Sequence, residues 1–305
     1  MVERQLPKLK VASSSLVSRS ETTGEYREYA LDARFTFASS MVNAKNSKLW
    51  LSAALLGLVG LCACEDPFAP PEQPLVPAGA QHAYFPLRIG QWVEYQVDSI
   101  LFDFGPTGQT VRDTVHLQVR EEVTDTLHDD TGLLWYRIER SERLSDTAPW
   151  AFRRVWTAAR TTTQAIRQED NLRFLRLVFP LAPRTRWDGN RWIDPTLEIE
   201  VAGERLRPFG NWTYRADAVD VTAQIGSFRF DSVLVVTEVD YANAIERRLS
   251  RAWYARNIGL VQREQWILDS QYCNQTPPPA DCLTRPWELK GQKGYILRQL
   301  ILRHN

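Results

Sequence analysis

Asp125, His128, Asp129 and Asp130 fall within the short stretch DTLHDDTG. They supply the oxygen and nitrogen donors from which a divalent-cation site is built. Their spacing matches no calcium loop, and Asp and Gly at this density also make a turn. A hairpin loop between HLQVREEV and LLWYRIER is the expectation here, and no metal site is expected. A second stretch, RTRWDGNRWIDP, combines aromatic and polar groups. Trp187 and Trp192 offer flat faces to a sugar ring or an apolar ligand, and Asp188, Asn190 and Arg191 add hydrogen bonds and charge. Trp187, Arg191 and Trp192 are therefore the expected ligand-binding residues. The same stretch also reads as a turn, Asp188-Gly189-Asn190, with the tryptophans packed beside it. Other chemistry is sparse. His82, His116, His128 and His304 are widely spaced. There is no G-x-S-x-G, H-E-x-x-H, P-loop or dinucleotide fingerprint. Acids are plentiful enough for a glycosidase pair, but its separation is spatial and cannot be read from a sequence. No catalytic residue and no cofactor are expected.

The elements that must position these residues are strands. QWVEYQVDSILF sets Val93, Tyr95 and Val97 against Trp92, Glu94 and Gln96. DTVHLQVREEV sets Val115, Leu117 and Val119 against His116, Gln118 and Arg120. Alternation of this kind, rich in β-branched and aromatic residues, marks half-buried strands. It recurs in LLWYRIERSERL, LRFLRLVF, LEIEVAG, FRFDSVLVVTEVDY, RAWYARNIGLVQREQWIL and GYILRQLILRH, with turn signals such as DDTG, WDGN, VAGE and QIGS between. The spacing predicts a mainly β fold. About ten to twelve strands form a single antiparallel, strongly curved sheet, or a barrel or half-barrel. FPLRIGQW and FPLAPRTRW echo one another, each placing a tryptophan shortly after Phe-Pro-Leu.

Upstream, Leu49 to Ala63 carries no charge and follows Lys45 and Lys48. The run has the length of a secretory h-region and is short for a membrane span. It ends at Leu61-Cys62-Ala63-Cys64, which resembles a bacterial lipobox. That resemblance implies cleavage before Cys64 and acylation of Cys64, with chains such as palmitate holding the protein to a membrane. Glu65, Asp66 and a proline-rich stretch follow, a composition that stays extended and solvated. The expected organisation is an upstream extension over 1–40, a lipoprotein signal peptide over 41–63, a tether over 64–81 and a β-rich domain over 82–305.

Formal charge balances at +0, which gives no reason to expect a nucleic-acid partner. Beyond Cys64, Lys290 and Lys293 are the only lysines among many arginines. Cys273 and Cys282 remain after maturation, and an even count in an exported chain reads as a disulfide. YFPLRIGQWVEY, FPLAPRTRWDGN and WYARNIGLVQRE resemble segments of envelope lipoproteins of unknown function from Bacteroidetes and related bacteria. The resemblance implies location and shape: a lipid-anchored protein of the bacterial cell envelope, at the outer membrane. Function is then expected to be that of a non-catalytic binding or structural module. Its partner would be an envelope protein or an apolar or sugar ligand. A lipid carrier with an apolar cavity, or a hydrolase, is the alternative.

Overall fold

The computed structural model describes residues 78–105 and 108–305. The expected signal segment, Cys64 and most of the tether lie outside them. Fourteen strands are present among the described residues. The first half holds β1 (Trp92–Phe104), β2 (Thr110–His128), β3 (Leu134–Arg143), β4 (Ala151–Arg160), β5 (Gln164–Glu169), β6 (Leu172–Val178) and β7 (Arg186–Trp187). The second holds β8 (Ile199–Val201), β9 (Glu204–Leu206), β10 (Tyr214–Ile225), β11 (Phe228–Ala242), β12 (Glu246–Ala255), β13 (Gly259–Asp269) and β14 (Lys293–His304).

All but β8 and β9 join one antiparallel sheet in the order β6-β5-β4-β3-β2-β1-β14-β13-β12-β11-β10-β7. Two meanders thus meet where β1 pairs with β14, from Val93 opposite His304 to Phe102 opposite Gly294. The long strands carry bulges, as between Val123 and Asp125 and along β10 from Ala216 to Ala223. Each bulge adds local twist and bends the sheet. The sheet nearly closes into a barrel with one seam, between β6 and β7. The Leu175 N–H donates to the Gly189 carbonyl across it at 2.8 Å. At Gly189 the side chain of Tyr214 leaves no room for a Cβ atom. This glycine is therefore required by close approach, where the sequence suggested only a turn.

Each end of the barrel is covered. At one end lies the segment from α1 (Ala78–Gln81) to Gln91. Gln81 is fully buried; its Nε2 donates to the Leu181 carbonyl at 2.7 Å and its Oε1 accepts from the Leu181 N–H at 2.6 Å. The rings of His82 and Phe179 meet at 4.7 Å, so the two Phe-Pro-Leu corners sit side by side. Arg160 donates to the carbonyls of His82 and Phe85. The body therefore begins earlier than His82, because Gln81 belongs to its core. At the other end, residues 188–213 carry the β8–β9 hairpin, tied down by Lys293 Nζ to the Arg205 carbonyl at 3.2 Å. Residues 270–292 complete that end with α2 (Trp287–Lys290) and the Cys273–Cys282 disulfide, whose Cα atoms are 5.1 Å apart.

Candidate functional site

Three places could hold chemistry, and the structure treats them differently. In DTLHDDTG, β2 ends and β3 begins, and Asp129 organises the turn. Its Oδ1 accepts from the N–H groups of Thr131 and Leu133 and from the Thr131 hydroxyl, while Oδ2 accepts from Trp135 Nε1. These bonds, the Thr131 hydroxyl and Trp135 foremost, hold the carboxyl down at about 2. Asp129 is thus spent on the hairpin, as the turn reading expects. Among the described residues no group of three or more His, Cys, Asp or Glu is disposed to hold a metal ion.

In RTRWDGNRWIDP the two tryptophans part company. Trp187 is only 6% exposed; its ring lies 5.7 Å from that of Tyr214 and its Nε1 donates to the Leu175 carbonyl at 2.9 Å. It clasps the seam and has no face free for a ligand, which corrects the expectation that it binds one. Trp192 is 43% exposed. The guanidinium groups of Arg173 and Arg191 lie 5.6 and 5.7 Å from its ring. Arg191 is itself exposed and donates to the Asp188 carbonyl. Arg191 and Trp192 remain together at the surface; Trp187 is elsewhere.

The third place lies inside the barrel, where β-strand alternation alone would put apolar side chains. Glu121 of β2 binds Arg140 of β3 at 3.2 Å and Arg167 of β5 at 2.6 Å. Arg167 reaches Glu169 at 3.1 Å, Arg176 of β6 reaches Glu169 at 2.9 Å, and Arg176 also reaches Glu238 of β11 at 3.0 Å. Ser250 Oγ donates to the other Glu238 oxygen at 2.6 Å. Contacts from β2 to β5 and from β6 to β11 skip intervening strands, so they cross the interior. Burial pushes the Glu169 carboxyl up, but Arg176, Arg167 and Arg263 together outweigh it and hold the group at about 2. Glu169 is therefore ionised at neutral pH and cannot serve as a general acid.

Arg263 of β13 differs from its neighbours. It is 8% exposed, yet its closest carboxylates, Glu238 and Glu169, are 3.7 and 3.8 Å away. Its Nε is buried without a partner, as are those of Arg140, Arg167 and Arg176, so what sets Arg263 apart is the length of its ion-pair contacts. It lines a cavity of about 140 Å³ at the β8–β9 end, with Phe174, Phe209, Trp212, Gln265 and Tyr295 around it. Phe174, Phe209 and Trp212 form a continuous aromatic run, with ring centres 6.0 and 5.9 Å apart. A smaller cavity of about 70 Å³ lies at the opposite end, beneath Phe85 and Leu87 and beside Tyr95 and Arg167. Sheltering an acyl chain calls for a pocket of roughly 300–1,000 Å³ with apolar walls. The two cavities described are each smaller than that, and ion pairs cross the interior among the described residues.

Sequence reasoning missed the interior array, although a signal existed. Glu121 stands between Val119 and Val123 on one strand face, and Arg176 shares its face with Phe174 and Leu172. A charge on the apolar register of a strand marks a buried, paired group.

No family model matches the chain, and no curated protein matches it. Two solved structures are similar to it at the level of backbone path. One is a candidate lipoprotein from Parabacteroides distasonis ATCC 8503, at 8% identity and a TM-score of 0.33, covering 73% of this chain and 98% of that one. The other is a candidate exported protein with YmcC-like fold from Bacteroides fragilis NCTC 9343, at 10% identity and a TM-score of 0.34, covering 72% and 97%. At that level of identity and superposition, neither says what this chain binds or does.

Proposed function

We propose that this chain is a lipid-anchored protein of the bacterial cell envelope, at the outer membrane, whose β-barrel body is a non-catalytic binding module. The observation that carries the reading is Leu61-Cys62-Ala63-Cys64, placed after a charge-free run and before an acidic, proline-rich stretch. Acyl chains on Cys64 would replace the removed peptide as the anchor, and two or more chains hold where one does not. The module half of the reading is supported by the cavity beside Arg263. Its walls carry no Ser, Cys or His, and its Glu169 is held ionised between arginines. That chemistry favours holding a ligand over converting one. The carrier alternative loses ground because ion pairs occupy the interior it needs.

Mass spectrometry of the protein extracted from its own membrane tests the anchor. The expected result is an N-terminal Cys64 carrying acyl mass, and a Cys64→Ser chain that leaves the membrane fraction. A mature N-terminus elsewhere, or an unmodified Cys64, overturns the reading.

A further inference from the structure

We infer that the cavity beside Arg263 is a binding site for a small carboxylate with a flat apolar body, of about the size of benzoate. The inference deepens the binding-module reading and rests on it for its biological setting, though not for its chemistry.

Two hydrogen-bond donors argue for the acid group. Among the described residues, none of the N–H groups of Arg263 makes a hydrogen bond, although every other charged member of the interior array has an ion-pair contact at 3.2 Å or less. Only its Nε is fully enclosed, and terminal nitrogens that make no hydrogen bond within the protein are free to take a ligand's oxygens. The phenol of Tyr295 lines the same cavity and has no hydrogen-bond partner among the described residues either. Burial pushes it up to about 12, so at neutral pH it keeps its proton and donates. Gln265 lines the same cavity, its Nε2 already donating to Ser250 Oγ at 3.2 Å. Two donors without a partner in the protein, one of them a planar fork, line the cavity and fit a carboxylate better than any neutral group.

The carboxylates already present do not fill this role. Glu169 is held by Arg167 and Arg176 at 3.1 and 2.9 Å, and Glu238 by Arg176 and Ser250. Asp170, also on the cavity wall, accepts from Arg154 at 2.9 and 2.8 Å and from Trp156 Nε1 at 3.3 Å. Each has a closer cation than Arg263, whose own contacts to Glu238 and Glu169 are long, at 3.7 and 3.8 Å. A ligand carboxylate at Arg263 would complete the array without displacing a pair.

The walls argue for the rest of the ligand. Phe174, Phe209 and Trp212 face the opening as a run of rings, and the Trp212 Nε1 is already bonded to the Pro208 carbonyl at 2.6 Å. They therefore offer ring surface and no further polar group. A cavity near 150 Å³ has room for one benzene-sized body, and this one measures about 140 Å³. Inorganic phosphate would satisfy the donors but leave the aromatic wall uncovered.

The test is isothermal titration of the full membrane-extracted protein with sodium benzoate, benzamide and inorganic phosphate at millimolar concentrations. Benzoate should bind, and benzamide, the same shape without the charge, should bind about tenfold more weakly or not at all. Arg263→Gln should weaken benzoate by at least about tenfold, and Tyr295→Phe by a few-fold. The benzoate–benzamide comparison needs no variant, so an Arg263→Gln chain that fails to fold does not remove the test. Absence of benzoate binding, equal binding of benzamide, binding of phosphate alone, or full benzoate affinity in a folded Arg263→Gln chain each overturns the inference. Failure of the anchor reading shows instead in the mass of Cys64, which these titrations do not touch.

Discussion

Arg176 holds two carboxylates apart inside the barrel, at 2.9 Å from Glu169 and 3.0 Å from Glu238. Replacing it by Met keeps the volume and strips both acids of their closest cation. Removing one partner of a buried ion pair costs about 3–5 kcal/mol, and urea unfolding of Arg176→Met should show a loss of that order. The same array sets the response to acid. The Glu169 carboxyl is lowered from its ordinary 4.5 to about 2 on folding. Its contribution is present above pH 4.5 and drains away as the pH falls through that value toward 2, because the unfolded chain takes up the proton first. Thermal unfolding followed from pH 7 downward should show a midpoint that falls in this acid window, and Glu169→Gln should flatten that fall. At this scale the sequence was legible where a residue's chemistry is local. Asp129 makes its bonds to Thr131, Leu133 and Trp135, all within six residues, and its role as a turn former was readable. The partners of Glu121 and Arg176 come from distant strands, so their charge was visible but their pairing was not.

At the scale of elements, the seam and the disulfide loop carry the sharpest expectations. Trp187 and Trp192 are five residues apart in number and opposite in environment. Trp187→Ala opens a hole behind the Leu175 carbonyl and the Tyr214 ring. Large-to-small changes of buried aromatics cost about 3–5 kcal/mol. Trp192→Ala removes an exposed ring and should change stability by no more than about 0.5 kcal/mol. Chemical unfolding of the two single variants checks both, and equal losses would count against the packing described here. Period-two alternation marked β1, β2, β3, β6, β8 and β11 to β14, because apolar residues on one face dictate which way a strand turns, and it did not single out β4, β5, β9 or β10. It could not say that β7 would be two residues long and that the sheet would close there, since that depends on Gly189 approaching Leu175 from across the seam. The bridge from Cys273 to Cys282 spans a separation of 9 residues. Closing so short a loop contributes about 2–3 kcal/mol. A Cys273→Ala, Cys282→Ala chain should lose about that much, and hydrogen exchange should quicken in residues 270–292 before it does in the sheet.

For the molecule as a whole, the central pairing is also the most distant in the chain. β1 and β14 lie side by side, and Trp92 and Asn305, 213 residues apart, exchange a hydrogen bond at 2.8 Å. Each flanking meander is built from neighbours in sequence, and only this pairing makes them one sheet. Deleting residues 293–305 should therefore leave no stable barrel, read as loss of protease resistance and of a cooperative unfolding transition, whereas clipping the β8–β9 hairpin should leave one. The consequence is one of timing. β1 emerges from the ribosome early and must wait, unpaired along one edge, until β14 has been made. Long-range pairing of this kind is slow to form. A body so arranged stays unfinished until β14 has been made, however early its first meander is complete.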